Sequence, residues 1–129
     1  EGGTQARNGL IAYPFAFRAE GWRPGRTVTW DAERTEVYFR IALGDLDGDG
    51  RTDIAASRKT GGIELYLQRD NGEFVRELTP ELAATGTAYD LQLLDLDGDG
   101  RDDIVAGMVP AGEHKGGVGV WLSRPRPTP

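Results

Sequence analysis

Residues 45–53 read DLDGDGRTD, and residues 95–103, fifty positions later, read DLDGDGRDD. In each stretch aspartate occupies positions 1, 3, 5 and 9, and glycine occupies positions 4 and 6. The likeness extends on both sides, because residues 37–43 align with 87–93, and residues 61–67 align with 116–122 after a five-residue insertion around 109–115. A phrase that recurs at this spacing is typical of solenoids, propellers and arrays.

The rest of the chain reads as short β-strands. Runs of apolar and β-branched residues are each bounded by Gly, Pro, Asn or Asp, and none has the length and 3.6-residue period of an ordinary helix. Only Thr79–Thr85, with Pro80 near its start, is expected to hold a helical turn. Asp70-Asn71-Gly72 predicts a hairpin, because Asn-Gly accepts positive φ at a two-residue turn. The predicted fold is all-β, with antiparallel sheets of three or four strands at 10–17, 26–31, 37–43, 53–57, 63–68, 73–78, 88–94, 103–109 and 117–122.

The repeat also predicts the domain organisation. We expect a single β-repeat domain over residues 1–123, followed by a Pro-rich tail at 124–129. Within the domain we expect a half-repeat at 9–35, repeat one at 37–86 and repeat two at 87–123. The half-repeat is inferred from a partial likeness between Gly9–Tyr13 and Gly62–Tyr66.

Each aspartate loop is a candidate calcium site. Four carboxylates in nine residues repel one another, and a hard divalent cation removes that repulsion. Calcium takes six to eight oxygen ligands, whereas magnesium demands a near-octahedral shell and keeps its waters. A solvated Asp-Gly turn is the alternative, but two copies with identical spacing favour two calcium ions. The predicted ligands are Asp45, Asp47, Asp49, Asp53 and the Arg51 carbonyl in one loop, and Asp95, Asp97, Asp99, Asp103 and the Arg101 carbonyl in the other.

The flanks of the loops separate them from helix–loop–helix calcium sites. An EF-hand or dockerin loop has an acidic residue at position 12 and helices on both sides, but position 12 here is Ala56 or Ala106. A short apolar run follows instead, which favours a strand–loop–strand site. Leu46 and Leu96 within the loops, and Ile54 and Ile104 after them, are expected to anchor the loops to the core.

The phrase D-x-D-x-D-G-x-x-D between short apolar strands, at Asp45–Asp53 and Asp95–Asp103, resembles the FG-GAP or VCBS-type repeat. Such repeats form the blades of calcium-binding β-propellers in integrin alpha chains and in many secreted bacterial proteins. The resemblance covers about residues 37–122, although the Phe-Gly and Gly-Ala-Pro phrases of the family are not clearly present. It implies about two and a half propeller-like blades, calcium in inter-strand loops, and a secreted or cell-surface location. Two and a half blades are too few to close a ring of four to eight.

Composition excludes several classes of function. The chain of 129 residues has no Cys and one His, so thiolate and multi-histidine zinc sites are excluded. Its 15 basic and 21 acidic residues give a net charge of −6, which argues against a nucleic-acid partner. No stretch approaches the roughly 20 apolar residues of a membrane span, so we expect no membrane insertion. No motif of a hydrolase, nucleotide-binding enzyme or metalloprotease occurs, and we do not expect an enzyme.

The sequence therefore predicts a calcium-binding extracellular β-repeat module with a structural or adhesive role. Its expected partners are copies of itself, other repeats of a longer chain, or a surface glycan or protein ligand. Self-association would add the strand predicted at 10–17 to the open blade of a neighbour. One alternative is a calcium-dependent lectin that uses Trp22 in a turn-rich segment, with Tyr66 and Trp121 assigned to the core. The other is a fragment of a larger secreted β-propeller protein.

Overall fold

The structure, a computed structural model, describes the backbone of residues 10–12, 15–18, 21–24, 28–30, 37–77, 79–110, 113 and 115–125. Side chains are described from residue 37 onward within these ranges. The chain divides into two compact units, residues 1–37 and residues 38–129. The predicted grouping of residues 1–123 into one domain with a half-repeat at 9–35 stays a prediction, and residues 126–129 of the predicted tail lie outside the described residues.

The first unit contains two small antiparallel ribbons. Strand β1 pairs with β4, and β2 pairs with β3. Strand β3 covers the segment around Trp22 for which turns were expected, because cross-strand pairing outweighs the poor strand propensity of its Gly and Pro. The strands are β1 (Leu10–Ala12), β2 (Phe15–Arg18), β3 (Gly21–Pro24) and β4 (Val28–Trp30).

The second unit contains the two repeats, each built as an antiparallel meander. The first-repeat sheet has the order β5-β6-β7-β8, and the second-repeat sheet has the order β9-β10-β11. A single helical turn, α1 (Pro80–Ala83), connects the sheets, as the sequence predicts. The strands are β5 (Tyr38–Gly44), β6 (Asp53–Arg58), β7 (Ile63–Gln68), β8 (Phe74–Glu77), β9 (Ala88–Leu94), β10 (Asp103–Met108) and β11 (Gly117–Trp121).

The internal repeat of the sequence also appears in the strand pairing, because equivalent residues of the two sheets have equivalent partners. In the first-repeat sheet Ile54 lies between Leu43 and Tyr66, and in the second Ile104 lies between Leu93 and Trp121. The pairing of the first two strands in each sheet also contains one register shift, at Phe39 in the first repeat and at the equivalent Tyr89 in the second. These two aromatic rings meet edge to face with centroids 5.2 Å apart. The predicted all-β fold, with blade-like sheets of four and three strands, is confirmed.

The predicted hairpin joins β7 to β8 through a three-residue loop rather than a two-residue one. The Gly72 amide donates to the Arg69 carbonyl at 2.9 Å, and the Arg69 amide donates to the Glu73 carbonyl at 2.7 Å. Gly72 has φ 83°, the left-handed conformation that closes such a loop after a type I turn.

The main hydrophobic core lies between the two repeat sheets, with β9 packed against β5 and β6. The close approach depends on Gly44, because a Cβ there would lie 2.8 Å from the Cβ of Leu93. The second-repeat sheet has no described counterpart of β8, and a cleft of about 890 Å³ opens beside β11. The buried core residues are Leu46, Ala55, Ile63, Leu67, Leu82, Ala88, Leu91, Ile104 and Ala106.

One predicted anchor is wrong. Leu46 is buried in the core, and Ile54 and Ile104 are buried as predicted, but Leu96 is 47% exposed. The reason is positional: Leu46 faces the second-repeat sheet, whereas the equivalent face beyond Leu96 has no described sheet against it. Among the described residues no helix is long and apolar enough to cross a membrane.

Candidate metal centre

The loop from Asp45 to Asp53 connects β5 to β6 and is organised around one carboxylate. Asp45 Oδ1 accepts hydrogen bonds from the amides of Gly48 at 2.8 Å and Asp49 at 3.1 Å. Asp45 Oδ2 accepts a third from the Gly50 amide at 2.8 Å. Gly48 and Gly50 have φ values of 77° and 84°, a conformation that glycine adopts without steric cost. The glycines at positions 4 and 6 therefore let the chain turn tightly around position 1.

The second loop repeats this geometry between β9 and β10. The two oxygens of Asp95 accept hydrogen bonds from the amides of Gly98 at 2.8 Å, Asp99 at 3.1 Å and Gly100 at 2.9 Å. The two glycines again have positive φ, 74° and 87°. The loop conformation is thus a property of the repeated phrase rather than of one local environment.

Each loop brings three of its predicted ligands together. One carboxylate oxygen from each of Asp45, Asp47 and Asp49 lies within 4.8 Å of the other two, and the triad of Asp95, Asp97 and Asp99 satisfies the same condition. Alternate residues converge because the loop curves around position 1. Three hard anionic oxygens on a compact, glycine-shaped loop fit the ligand chemistry of calcium.

The electrostatics of the triads show the repulsion that a cation would relieve. Burial raises the pKa of Asp47, and the charges of Asp53 and Asp49 raise it further. The pKa of Asp97 is raised in the same way, by burial and then by the charge of Asp99. In contrast, the hydrogen bond from the Arg51 amide lowers the pKa of Asp49, and the bond from the Gly100 amide lowers that of Asp95. Each triad therefore holds one carboxyl with a raised pKa beside one whose pKa is lowered, and burial also raises the pKa of Asp53.

An arginine at position 7 of each loop partners the aspartate at position 5. Arg51 Nη2 lies 2.5 Å from Asp49 Oδ2, and its Nε donates to the Gln68 carbonyl at 3.0 Å. Arg101 forms the same ion pair with Asp99. The sequence predicted only the backbone carbonyls of Arg51 and Arg101 as ligands, and that role stays a prediction.

The aspartate at position 9 of each loop has a structural role that its sequence position did not indicate. Asp53 is fully buried; its Oδ2 accepts from the Leu46 amide at 2.8 Å and its Oδ1 from the Gln68 amide at 2.9 Å. Asp103 is equally buried and accepts from the Leu96 and Ser123 amides, both at 2.8 Å. Each carboxylate fastens its loop to the strand that follows next in the sheet. That Asp53 and Asp103 also bind a metal ion stays a prediction. Both residues lie beside the triads.

A reciprocal pair of hydrogen bonds connects the two loops. The Asp45 amide donates to Asp102 Oδ2, and the Asp102 amide donates to the Asp45 carbonyl, both at 2.7 Å. No pattern within one repeat indicated this link, because the position equivalent to Asp102 in the first loop is Thr52. That difference between two otherwise identical loops was the only available signal.

A second group of titratable residues lies outside the loops. The Glu64 side chain is 1% exposed and accepts hydrogen bonds from the hydroxyls of Tyr38 and Tyr66, both at 2.8 Å. Guanidinium groups of Arg58 and Arg76 lie 3.7 and 3.9 Å from its other oxygen. Burial, followed by these hydrogen bonds, raises the pKa of Tyr66. The position equivalent to Glu64 is Gly119, so this network belongs to the first repeat alone.

The predicted aromatic residues divide into two kinds. Tyr66 is fully buried and Trp121 packs against the core cluster, as the sequence analysis assigned. The side chain of Trp22, the predicted carbohydrate contact, lies outside the described residues.

In comparisons with known proteins, residues 26–106 match the family model of the FG-GAP-like repeat. No curated protein matches the chain, and no solved structure matches it.

Proposed function

Because this chain belongs to the FG-GAP-like repeat family, we propose that it is a calcium-binding β-repeat module that acts outside the cell as a structural or adhesive element. The observation that carries the proposal is the pair of carboxylate triads, Asp45, Asp47 and Asp49 with Asp95, Asp97 and Asp99. Each triad would supply three oxygens to one ion, and the carbonyls of Arg51 and Arg101 and the carboxylates of Asp53 and Asp103 would complete the shells. The ions would neutralise charge that the folded loops must otherwise hold in close contact.

Calcium that binds only the folded loops stabilises the fold. One site at a free calcium concentration of 100 times its Kd contributes about 2.7 kcal/mol. Thermal unfolding is therefore compared in calcium, in the same concentration of magnesium and in excess EDTA. We expect a clear drop in Tm in EDTA and a weaker effect of magnesium than of calcium. An unchanged Tm in EDTA would refute the calcium proposal.

Titration calorimetry then assigns the sites. The unaltered chain should bind two calcium ions, and Asp49→Ala or Asp99→Ala should each remove one while the other site still titrates. Asp70→Ala, which removes an exposed aspartate from the β7–β8 turn, is the matched control and should leave two. Loss of both ions from a single loop substitution, or of none, contradicts two separate triad sites.

The proposal assigns binding rather than catalysis to the module. The two triads have the same geometry and hydrogen bonds, whereas the paired carboxylates of glycosidases lie in different environments and take different roles. An extracellular location is supported by the family match, because FG-GAP-like repeats usually occur in extracellular proteins. We further propose that the module associates with copies of itself or with other repeats of a longer chain.

A further inference from the structure

The second-repeat sheet presents an apolar face to solvent. Its strands alternate between this face and the core, as half-buried strands do. Val118, within β11, is 76% exposed, which is unusually high for a valine in a strand. The residues of this open face, 38–76% exposed, are Leu94, Leu96, Val118, Val120 and Leu122.

The same positions of the first repeat form its core face. By the repeat alignment, the open-face residues correspond to Gly44, Leu46, Ile63, Leu65 and Leu67. In the first repeat Leu46, Ile63 and Leu67 are buried against the second-repeat sheet. The open face therefore repeats a surface that this chain already uses to receive a sheet.

The chain also exposes the complementary half of that interface. In the interface between the repeats, β9 of the second-repeat sheet contributes Leu91, which is 5% exposed, and Leu93. The equivalent residues of β5 are Ile41 and Leu43, which are 55% and 59% exposed. The unit of residues 38–129 thus carries, on two different faces, both apolar surfaces of the contact found between its own repeats.

Polar groups at the edge of the interface between the repeats also have equivalents on the exposed surfaces. Within the chain, Asp45 and Asp102 exchange two hydrogen bonds. Their counterparts at the open ends are Asp95 and Thr52, between which the described chain shows no such exchange. A Thr52 of another copy offers both an amide donor and a hydroxyl acceptor to the backbone of Asp95.

We propose that a second copy of this chain docks on the open face with its β5 edge, so that Ile41 and Leu43 of one copy contact Val120 and its neighbours on the other. This contact rests on the self-association proposed above. It packs the face of one sheet on the face of another, instead of adding a strand to a sheet edge. Such a contact is heterologous, because the two copies use different surfaces, and it continues from copy to copy unless a ring closes.

The test measures mass by analytical ultracentrifugation in calcium, at physiological salt, over a range of concentrations. The unaltered chain should grow beyond a dimer as concentration rises. Ile41→Lys and Val120→Lys should each remain monomeric alone, because each destroys one half of the contact. Their equimolar mixture should form dimers and stop there, since one intact pair of surfaces remains. Val75→Lys, at an exposed strand position outside both surfaces, is the control and should behave like the unaltered chain.

Three results overturn the proposal: an unaltered chain that is monomeric throughout, a mixture that stays monomeric, or an Ile41→Lys variant that still self-associates. Calcium stoichiometry of the two variants should remain two, so failure of the docking model is distinguishable from failure of the calcium proposal.

A second variant tests the register of the contact. Leu94 occupies the position of Gly44, where a Cβ would lie 2.8 Å from Leu93. Leu94→Gly should let the second copy approach as closely as the two repeats do, and should shift association to several-fold lower concentration. If the face were a general apolar patch, loss of an exposed leucine would weaken association, and that result, like an unchanged midpoint, contradicts the proposed register.

Discussion

At the scale of single residues, aspartates of one loop perform different tasks. Asp49 is the exposed member of its triad, whereas Asp53 is buried and accepts two amide hydrogen bonds. The spacing of the phrase was sufficient to predict the triads, because alternate residues of a tight loop converge. It could not reveal the buried clamp, by which we mean the two amide hydrogen bonds that the Asp53 carboxylate accepts. The Gln68 amide reaches Asp53 only after β7 has paired with β6.

The clamp predicts an unequal response to alanine. Asp53→Ala leaves two buried amides without acceptors and should lower the free energy of unfolding by about 2–4 kcal/mol in the absence of calcium. Asp49→Ala removes an exposed carboxylate from the triad and should cost clearly less than Asp53→Ala under the same conditions. Urea unfolding in EDTA measures both, and equal costs would show that Asp53 does not fasten the loop.

The raised pKa values predict the pH dependence of calcium binding. The carboxyls of Asp47 and Asp97 have pKa values above the ordinary 3.8, so they take up protons earlier than an unperturbed aspartate as pH falls. Calcium requires their ionised form, and binding therefore releases protons. Calcium affinity should decline as pH is lowered from 7 towards 3.8, beginning above that value. Calorimetry in buffers of different ionisation enthalpy would detect the released protons; affinity that is constant until pH reaches 3.8 would contradict the prediction.

At the scale of the elements, the sequence predicted strands well where apolar runs end in Gly or Asp. It failed at β3, whose Gly and Pro suggested a turn, and at Leu96, whose burial depends on a sheet that local sequence does not specify.

The loops between strands have conformational requirements of their own. Gly62, between β6 and β7, has φ 92°, and its amide donates to the Gly86 carbonyl at 3.2 Å.

A pair of glycine substitutions separates conformational cost from steric cost. At Gly62 an added Cβ would meet the Ala83 carbonyl oxygen at 2.9 Å, whereas at Gly72, with φ 83°, it would meet nothing within 4 Å. Gly72→Ala should cost about 1–2 kcal/mol for its left-handed backbone alone. Gly62→Ala should cost more, about 2–4 kcal/mol, because it also pushes the end of α1 away. Chemical unfolding measures both; equal losses would mean that α1 yields freely.

At the scale of the whole molecule, the two aspartate loops are joined through Asp45 and Asp102. Asp102 belongs to the second repeat, yet its carboxylate accepts a hydrogen bond from the backbone amide of the first aspartate in the first loop. The first loop should therefore bind calcium more weakly in an isolated first repeat than in the whole chain.

Asp102→Ala should weaken the first site from outside its own loop. In an Asp99→Ala background, where only the first site titrates, the added Asp102→Ala should raise the calcium Kd several-fold, because the Asp45 amide loses its acceptor. Asp90→Ala removes an exposed acidic charge from the same repeat and is the control. Calorimetry compares the two double variants, and an identical Kd would show that the loops are independent.

The buried clamps have a consequence for the order in which the chain folds. In the first repeat, residues 45–68 contain the triad, the buried aspartate and the amide that donates to it. In the second repeat, residues 95–123 contain the equivalent groups. Contacts between residues close in sequence form quickly, and a chain folds from its N-terminal end while it is being synthesised. The hydrogen bonds that close the first loop can therefore form before the second repeat has been translated, whereas Leu46, Ile63 and Leu67 become buried only when the second repeat packs on them.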